Sequence, residues 1–202
     1  ARGLKLEDSY KKLMGIVMKE TDRLNNILSD FLNYSQPKKN NDTIIDLTQL
    51  IQDVITLLKN KEDLSAKKQI VFKGTTDHLI LNGDEEQIKQ VVWNLCINAL
   101  QAMSQGTLTL SLNEVFSFQS GEFQANHRGM VLEVRDEGCG IALDQINNIY
   151  DPFYSSKKDG VGLGLATVYQ IVNRNGGVVD VQSTLDKGTL FTVFLPDQES
   201  VK

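Results

Sequence analysis

Three stretches of this chain place unusual residue types at spacings suited to holding a charged, flat ligand. The first runs from Gln90 to Gln101, where the only polar residues are Gln90, Asn94, Asn98 and Gln101. At about 100° per residue these four share one narrow seam of a helix. Val91, Val92, Trp93, Leu95, Cys96, Ile97, Ala99 and Leu100 cover the rest, so the helix is predicted to be buried on most sides. A buried amide without a hydrogen bond costs roughly 1–3 kcal/mol. The seam therefore faces either an internal polar network or a wet cavity holding a ligand. Asn94 and Asn98, four apart, can aim two carbonyl oxygens at one point. Neutral oxygens completed by phosphate oxygens and water suit Mg²⁺ that arrives with a nucleotide.

The second stretch is Met130 to Ile141. Strand alternation puts Met130, Leu132, Val134 and Asp136 on one face and Val131, Glu133 and Arg135 on the other. Asp136 thus ends a strand pointing the way the core residues point, and a buried carboxylate needs donors. Gly138 and Gly140 let the backbone turn tightly and a flat group approach; an adenine amino group is a suitable donor. The other reading is that Asp136 caps its own turn, as Asp-x-Gly sequences do.

The third stretch is Asp151 to Leu165. Asp151-Pro152-Phe153 closes a segment rigidly, with Phe153 as an apolar anchor, and Tyr154 to Asp159 has the short polar composition of a mobile lid. Gly160, Gly162 and Gly164 then run into the first turn of a helix. Glycine at every second position suits neither strand nor helix, but it opens a helix with bare N–H groups and the positive end of a dipole toward an anion. Lys157 and Lys158 add cations that either meet phosphate oxygens or stay solvated.

The elements that must position these stretches follow from periodicity. Residues Leu6 to Tyr34 are predicted as one long helix with an apolar stripe at Leu13, Ile16, Val17, Leu24, Ile27, Leu28 and Phe31. Pro37 and the polar run after it read as a linker over residues 38–46. Helices are expected over Leu47–Leu58, Asp84–Ser104 and Leu163–Arg174, the last closed by Asn175-Gly176-Gly177 in a left-handed cap. Strands are expected over Gln69–Lys73, His78–Leu81, Thr107–Phe118, Met130–Asp136, Val178–Ser183 and Thr189–Leu195, with Ser117–Arg128 as a hairpin tip. The sum is an α+β fold, a two-layer α/β sandwich with helices on one sheet face. A domain of residues 47–202 would follow a helical segment, 1–37, presented to another chain or segment.

Composition narrows the class. The 202 residues are 41% hydrophobic and 23% charged with a net charge of -5, which suits a globular protein and argues against a general nucleic-acid binder. No apolar run approaches the ~20 residues of a membrane helix, and the expectation is a cytoplasmic protein. Cys96 and Cys139 have no metal-type spacing and read as reduced thiols.

The order of the motifs is more specific than any one of them. Asn94-Leu95-x-x-Asn98-Ala99, Asp136-x-Gly138-x-Gly140-Ile141, Asp151-Pro152-Phe153, Gly160-x-Gly162-x-Gly164-Leu165 and Gly188-Thr189 together resemble the catalytic ATP-binding domain of sensor histidine kinases. That domain belongs to the GHKL, or Bergerat-fold, ATPase superfamily. The resemblance spans about residues 42–197. The wording of residues 98–103, 136–141 and 151–157 is most similar to nitrogen-regulation-type kinases.

The resemblance implies roles. Asn98 would hold Mg²⁺ with Asn94 beside it, and Asp136 would bind the adenine amino group, helped by Thr189 through water. Gly138, Gly140 and Ile141 would shape the base pocket, and Lys157 with the turn from Gly160 to Gly164 would cover the phosphates of ATP. Gln101, Phe153, Leu163 and Leu165 complete the expected nucleotide-binding set. The first helix, from Lys19-Glu20 through Gln36-Pro37, resembles the second helix of the family's dimerisation and phosphoacceptor hairpin. Its partner helix, with the accepting histidine, is not in this sequence: His78 precedes a strand and His127 lies in the hairpin excursion. The implied activity is transfer of the ATP γ-phosphoryl group to a histidine on that missing hairpin helix, for relay to an aspartate of a response-regulator receiver domain. A homodimer is implied for the longer protein, with anchoring to a membrane left open.

Some positions depart from the pattern. Val161 replaces a common Thr or Ser, Gln101 stands where many kinases carry Lys or Arg, and Leu185-Asp186-Lys187 precedes Gly188-Thr189 where an earlier glycine is usual. Hydrolysing members of the superfamily carry a glutamate four residues before the metal-binding Asn, where this chain has Asn94. That favours a kinase over an ATPase. A serine kinase of the same fold, and a dimerising interaction module without nucleotide, remain the alternatives.

Overall fold

A computed structural model describes residues 42–60, 67–74, 78–121, 123–157 and 160–197, and before them residues 10, 11, 13–15, 17, 18, 20, 21, 24 and 28. The chain divides into two compact units, Ala1–Lys38 and Lys39–Lys202. The described residues of the first unit are helical, and Leu13, Val17, Leu24 and Leu28 of the expected stripe are all exposed. The hairpin-like residues 32–37, the linker residues 38–41, and Lys158 and Asp159 lie outside the described residues.

The second unit begins with a correction to the expected linker. Asp42–Asp46 is a strand, β1, antiparallel to β3 (Ile80–Asp84). Each of these strands ends on an aspartate that caps the helix it feeds. Asp46 Oδ1 accepts from Gln49 N at 3.1 Å at the start of α1 (Leu47–Lys59), and Asp84 Oδ1 accepts from Gln87 N at 3.1 Å at the start of α2 (Glu85–Ala102). In the antiparallel pairing Asp46 lies opposite Ile80 and Asp84 opposite Asp42, so the two helices start from opposite ends of the pair.

The main sheet has five strands in the order β2-β4-β7-β9-β8. These are β2 (Lys68–Gly74), β4 (Gly106–Val115), β7 (Gly129–Arg135), β8 (Val178–Thr184) and β9 (Gly188–Pro196). Only the β2–β4 pair is parallel. Period-two alternation builds the core in rows across the sheet. Leu110 faces Val134, which faces Phe191; Leu112 faces Leu132, which faces Val193. All six are buried, and burying such side chains contributes roughly 1.5–3 kcal/mol each. Against these rows lie α1, α2 and, after the short α3 (Leu143–Ile146), α4 (Gly164–Arg174), the last closed by left-handed Gly176 (φ 72°). This is the expected two-layer arrangement, with α2 between α1 and α4.

The excursion after β4 does more than form a hairpin tip. Its strands β5 (Phe118–Ser120) and β6 (Phe123–Ala125) fold over the far face of the sheet. Phe118 stacks on Phe194 at 4.9 Å between ring centres, and a second small core forms there with Ala125 and Val131. That explains why Val131, on the face opposite Met130 and Leu132, is buried too.

Candidate functional site

Asp136 follows directly on β7 and is buried, with only 4% of its surface exposed. The turn-cap reading of it holds. Its Oδ1 accepts from Gly138 N at 2.8 Å, which caps its own turn, and from Thr189 N at 3.3 Å, which ties that turn to β9. Its Oδ2 accepts no hydrogen bond among the described residues. Burial pushes the Asp136 carboxyl above the usual carboxylate value, while the two backbone N–H groups and the Lys157 ammonium pull it partly back. One oxygen is thus fixed by backbone and the other is available to an amino donor.

The turn around Asp136 is made of backbone packed on backbone. Cys139 N donates to Ala102 O at 3.1 Å, joining the turn to the end of α2, and Asp186 N donates to Cys139 O at 2.9 Å. Gly140 has φ 69°, and a Cβ there would collide with the Thr184 carbonyl oxygen. At Gly138 a Cβ would stand 2.8 Å from both Ala102 O and Asp136 Oδ1. The glycines are therefore required first by the approach of neighbouring backbone, and room for a flat ring follows from it.

Sequence reasoning missed Ser183. Its Oγ accepts from Ile141 N at 2.8 Å, donates to Gly188 O at 3.1 Å and lies 2.9 Å from Thr189 Oγ1. One arrangement satisfies all three contacts: Ser183 donates to Gly188 and accepts from both Ile141 and Thr189. The remaining lone pairs of Thr189 Oγ1 then serve as an acceptor beside Asp136. Ser183 faces Thr189 directly across the β8–β9 pair, so a hydroxyl opposite the Gly-Thr pair was the signal available in the sequence.

The other end of the site lies on α2. Asn94 and Asn98 have different hydrogen-bond partners. Asn94 Nδ2 donates to Gly164 O at 3.2 Å and ties α2 to the first turn of α4. Asn98 Oδ1 instead accepts from the Lys157 ammonium at 3.1 Å, and Gln101 Oε1 accepts from the same ammonium at 2.7 Å. The Lys157 side chain is exposed overall, but its ammonium is turned inward onto these two amides, and that burial lowers its pKa from the ordinary lysine value. The neighbouring backbone supports the turn: Lys157 N donates to Ser155 Oγ at 3.1 Å and Gly160 N to Lys157 O at 3.2 Å.

The glycine turn behaves as its spacing predicts at α4. Leu163 precedes the helix without a side-chain cap, so no side chain occupies its first N–H groups. Gly162 is left-handed (φ 75°), and a Cβ there would stand 2.5 Å from Tyr154 O. The side chains of Leu163 and Leu165 turn to apolar packing instead, Leu163 buried and Leu165 partly buried against the core.

Phe153 departs from expectation. It is 61% exposed with φ 68°, held by Phe153 N donating to Gly162 O at 3.0 Å. The left-handed backbone turns its ring outward, and Ile149, Tyr150 and Tyr154 anchor the segment to the core in its place. Cys96 is an inert core thiol, with burial pushing its pKa up to about 12. Neither histidine is on a helix: His78 pairs with Asp46 ahead of β3, and His127 packs near Phe194.

The donor set fits a divalent cation brought by phosphates. No group of three or more His, Cys, Asp or Glu residues among the described residues could hold a metal ion by itself. Yet a cation already rests on Asn98 Oδ1 in the form of the Lys157 ammonium, so that oxygen has the exposure and direction a hard cation needs.

The chain resembles known proteins over most of its length. The chain is 34% identical over 186 residues to the sensor histidine kinase ZraS of Escherichia coli (strain K12), covering 92% of this chain and 37% of ZraS. It is 33% identical to sporulation kinase C of Bacillus subtilis (strain 168), covering 92% of this chain and 41% of that kinase. It therefore spans well under half the length of these curated relatives. Among solved structures, full-length ShkA in complex with AMPPNP superposes with a TM-score of 0.75 at 22% identity, over 92% of this chain and 38% of ShkA. Histidine kinase ThkA in complex with the response regulator protein TrrA superposes with a TM-score of 0.73 at 24% identity, over 93% of this chain and 51% of ThkA. Residues 83–199, more than half of the chain, match the HATPase_c model, and the chain belongs to that family of histidine kinase-, DNA gyrase B- and HSP90-like ATPases.

Proposed function

We propose that this chain is the ATP-binding catalytic region of a sensor histidine kinase, with ATP bound between Asp136 and the glycine turn. The observation that carries the reading is Asp136: a buried carboxylate with Oδ1 tied to two backbone N–H groups and Oδ2 left to an adenine amino group. Thr189 accepts a water beside the base, and Ser183 holds Thr189, Ile141 and Gly188 in register. The uncapped start of α4 and the Lys157 ammonium meet the phosphates. Asn98 would hold Mg²⁺, which supplies charge neutralisation on the phosphate oxygens when bound.

The reaction breaks the bond from the γ-phosphorus to its bridging oxygen, forms a phosphorus–nitrogen bond to a histidine imidazole, and leaves ADP. Such transfer depends mainly on positioning and electrostatic stabilisation. Asn94 supports transfer over hydrolysis, because its amide is committed to Gly164 and no carboxylate stands there to activate water. Neither His78 nor His127 is carried on a helix, and the acceptor in this reading is a histidine on a hairpin helix of the same or a partner protomer. The exposed stripe of the first unit suits the second helix of that hairpin in a homodimer. A response-regulator receiver domain is the expected next acceptor. Among the described residues no helix is long and apolar enough to cross a membrane.

Calorimetric titration with ATP, with and without Mg²⁺ and with GTP as control, tests the reading. Mg²⁺-dependent binding selective for ATP is expected. Absence of binding under both conditions would move the chain to the interaction-module alternative.

A further inference from the structure

The cation at the phosphate end has a specific holder. Gln101 Oε1 accepts from the Lys157 ammonium at 2.7 Å, closer than Asn98 Oδ1 at 3.1 Å. The two amides stand three residues apart on α2 and form one cradle on one helix face. Both acceptors are neutral, so neither cancels the charge of the ammonium, and one of its three N–H donors is left over. The two amides are not equivalent once a nucleotide enters. If Asn98 Oδ1 receives Mg²⁺, the ammonium cannot share that oxygen without direct repulsion between two cations. Gln101 then becomes the amide that retains Lys157.

From this geometry we propose that Gln101 is a positioning residue for phosphate recognition: it holds Lys157 at the site after Asn98 passes to the metal, and so fixes where this loop-borne cation meets the nucleotide phosphates. The inference rests on the nucleotide reading above. Gln101 is exposed on its helix, so its replacement leaves the core untouched.

The test is a double-mutant cycle read by calorimetry in Mg²⁺, with ATP and adenosine as ligands. Gln101→Ala should weaken ATP binding roughly three- to tenfold, the size of one net hydrogen bond at a solvent-accessible position. Adenosine binding should not change. Lys157→Met should cost at least as much for ATP alone, and the double variant should bind ATP no more weakly than Lys157→Met. Moving the cation to the helix, with Gln101→Lys in the Lys157→Met background, should recover most of the lost ATP affinity. Additive losses, an equal loss for adenosine, or an unchanged ATP affinity in Gln101→Ala would overturn the role. A readout on the nucleotide-free protein separates this inference from the nucleotide reading. Gln101→Ala should raise the rate at which an acylating reagent modifies Lys157 relative to the other lysines, mapped by mass spectrometry. No rise would overturn the cradle even if ATP binds as proposed, whereas wild-type protein that fails to bind ATP would overturn both.

Discussion

The two ends of the site are built by different means. Around Asp136 the backbone does the placing: Gly138 N and Thr189 N fix the carboxylate, and Cys139 and Asp186 lace the turn to its neighbours. Around Asn98 side chains do it: Lys157 reaches across to Asn98 and Gln101, and Asn94 reaches to Gly164. Backbone contacts depend on the whole fold, whereas side-chain contacts can be removed singly. The base end should therefore fail by misfolding or by loss of base choice, and the phosphate end by graded loss of affinity.

The sharpest break of that contrast is Gly140→Ala. Its backbone is left-handed, and an added Cβ meets the Thr184 carbonyl, so strain and overpacking should destabilise the protein by roughly 2–4 kcal/mol. Gln101→Ala, on the exposed face of α2, should change stability by less than about 0.5 kcal/mol. Urea unfolding of the two variants measures both. Similar midpoints would mean that the base end is no more rigid than the phosphate end.

Asp136→Asn comes next. It keeps the shape of the side chain and removes the charged acceptor, so ATP affinity should fall roughly tenfold to a hundredfold while any GTP binding stays level. ATP binding equal to wild type would remove Asp136 from the base pocket. Asn98→Ala should weaken ATP binding roughly tenfold with Mg²⁺ and little with EDTA. If the loss is the same in both conditions, Asn98 holds phosphate or Lys157 and not the metal.

Legibility followed the same division. Alternation along β7 was enough to send Asp136 inward with Met130, Leu132 and Val134, and helical periodicity was enough to find the seam of α2, because both are local rules. What escaped was decided by contacts distant in sequence. Residues 42–46 read as linker because two isoleucines among polar residues make a weak strand, and only β3 completes it. Phe153 read as an anchor because an aromatic after Pro is usually packed; its left-handed backbone comes from the bond to Gly162. Ser183 carried no motif, and its importance appears only when Ile141, Gly188 and Thr189 converge on it. The partnership of Lys157 with Gln101 joins a loop to a helix that no sequence spacing relates.

The smallest effect gives the finest separation of the two ends. Burial raises the Asp136 carboxyl above its unfolded value, so in the empty protein the folded state holds the proton more tightly than the unfolded one. The stability that this group contributes is fully present below the unfolded value and is lost as pH rises through the raised folded value. Ligand binding has the opposite sign. An adenine amino group needs the ionised carboxylate as acceptor, so binding favours the deprotonated form and weakens as pH falls through the raised value. Adenosine carries no phosphate to titrate and reports on the base end alone. Its affinity should drop on acidification from pH 7 toward the usual carboxylate range, at first only about twofold, and this decline should be missing from Asp136→Asn. An adenosine affinity that declines identically in both proteins would place the titrating group elsewhere and leave Asp136 as a turn cap only.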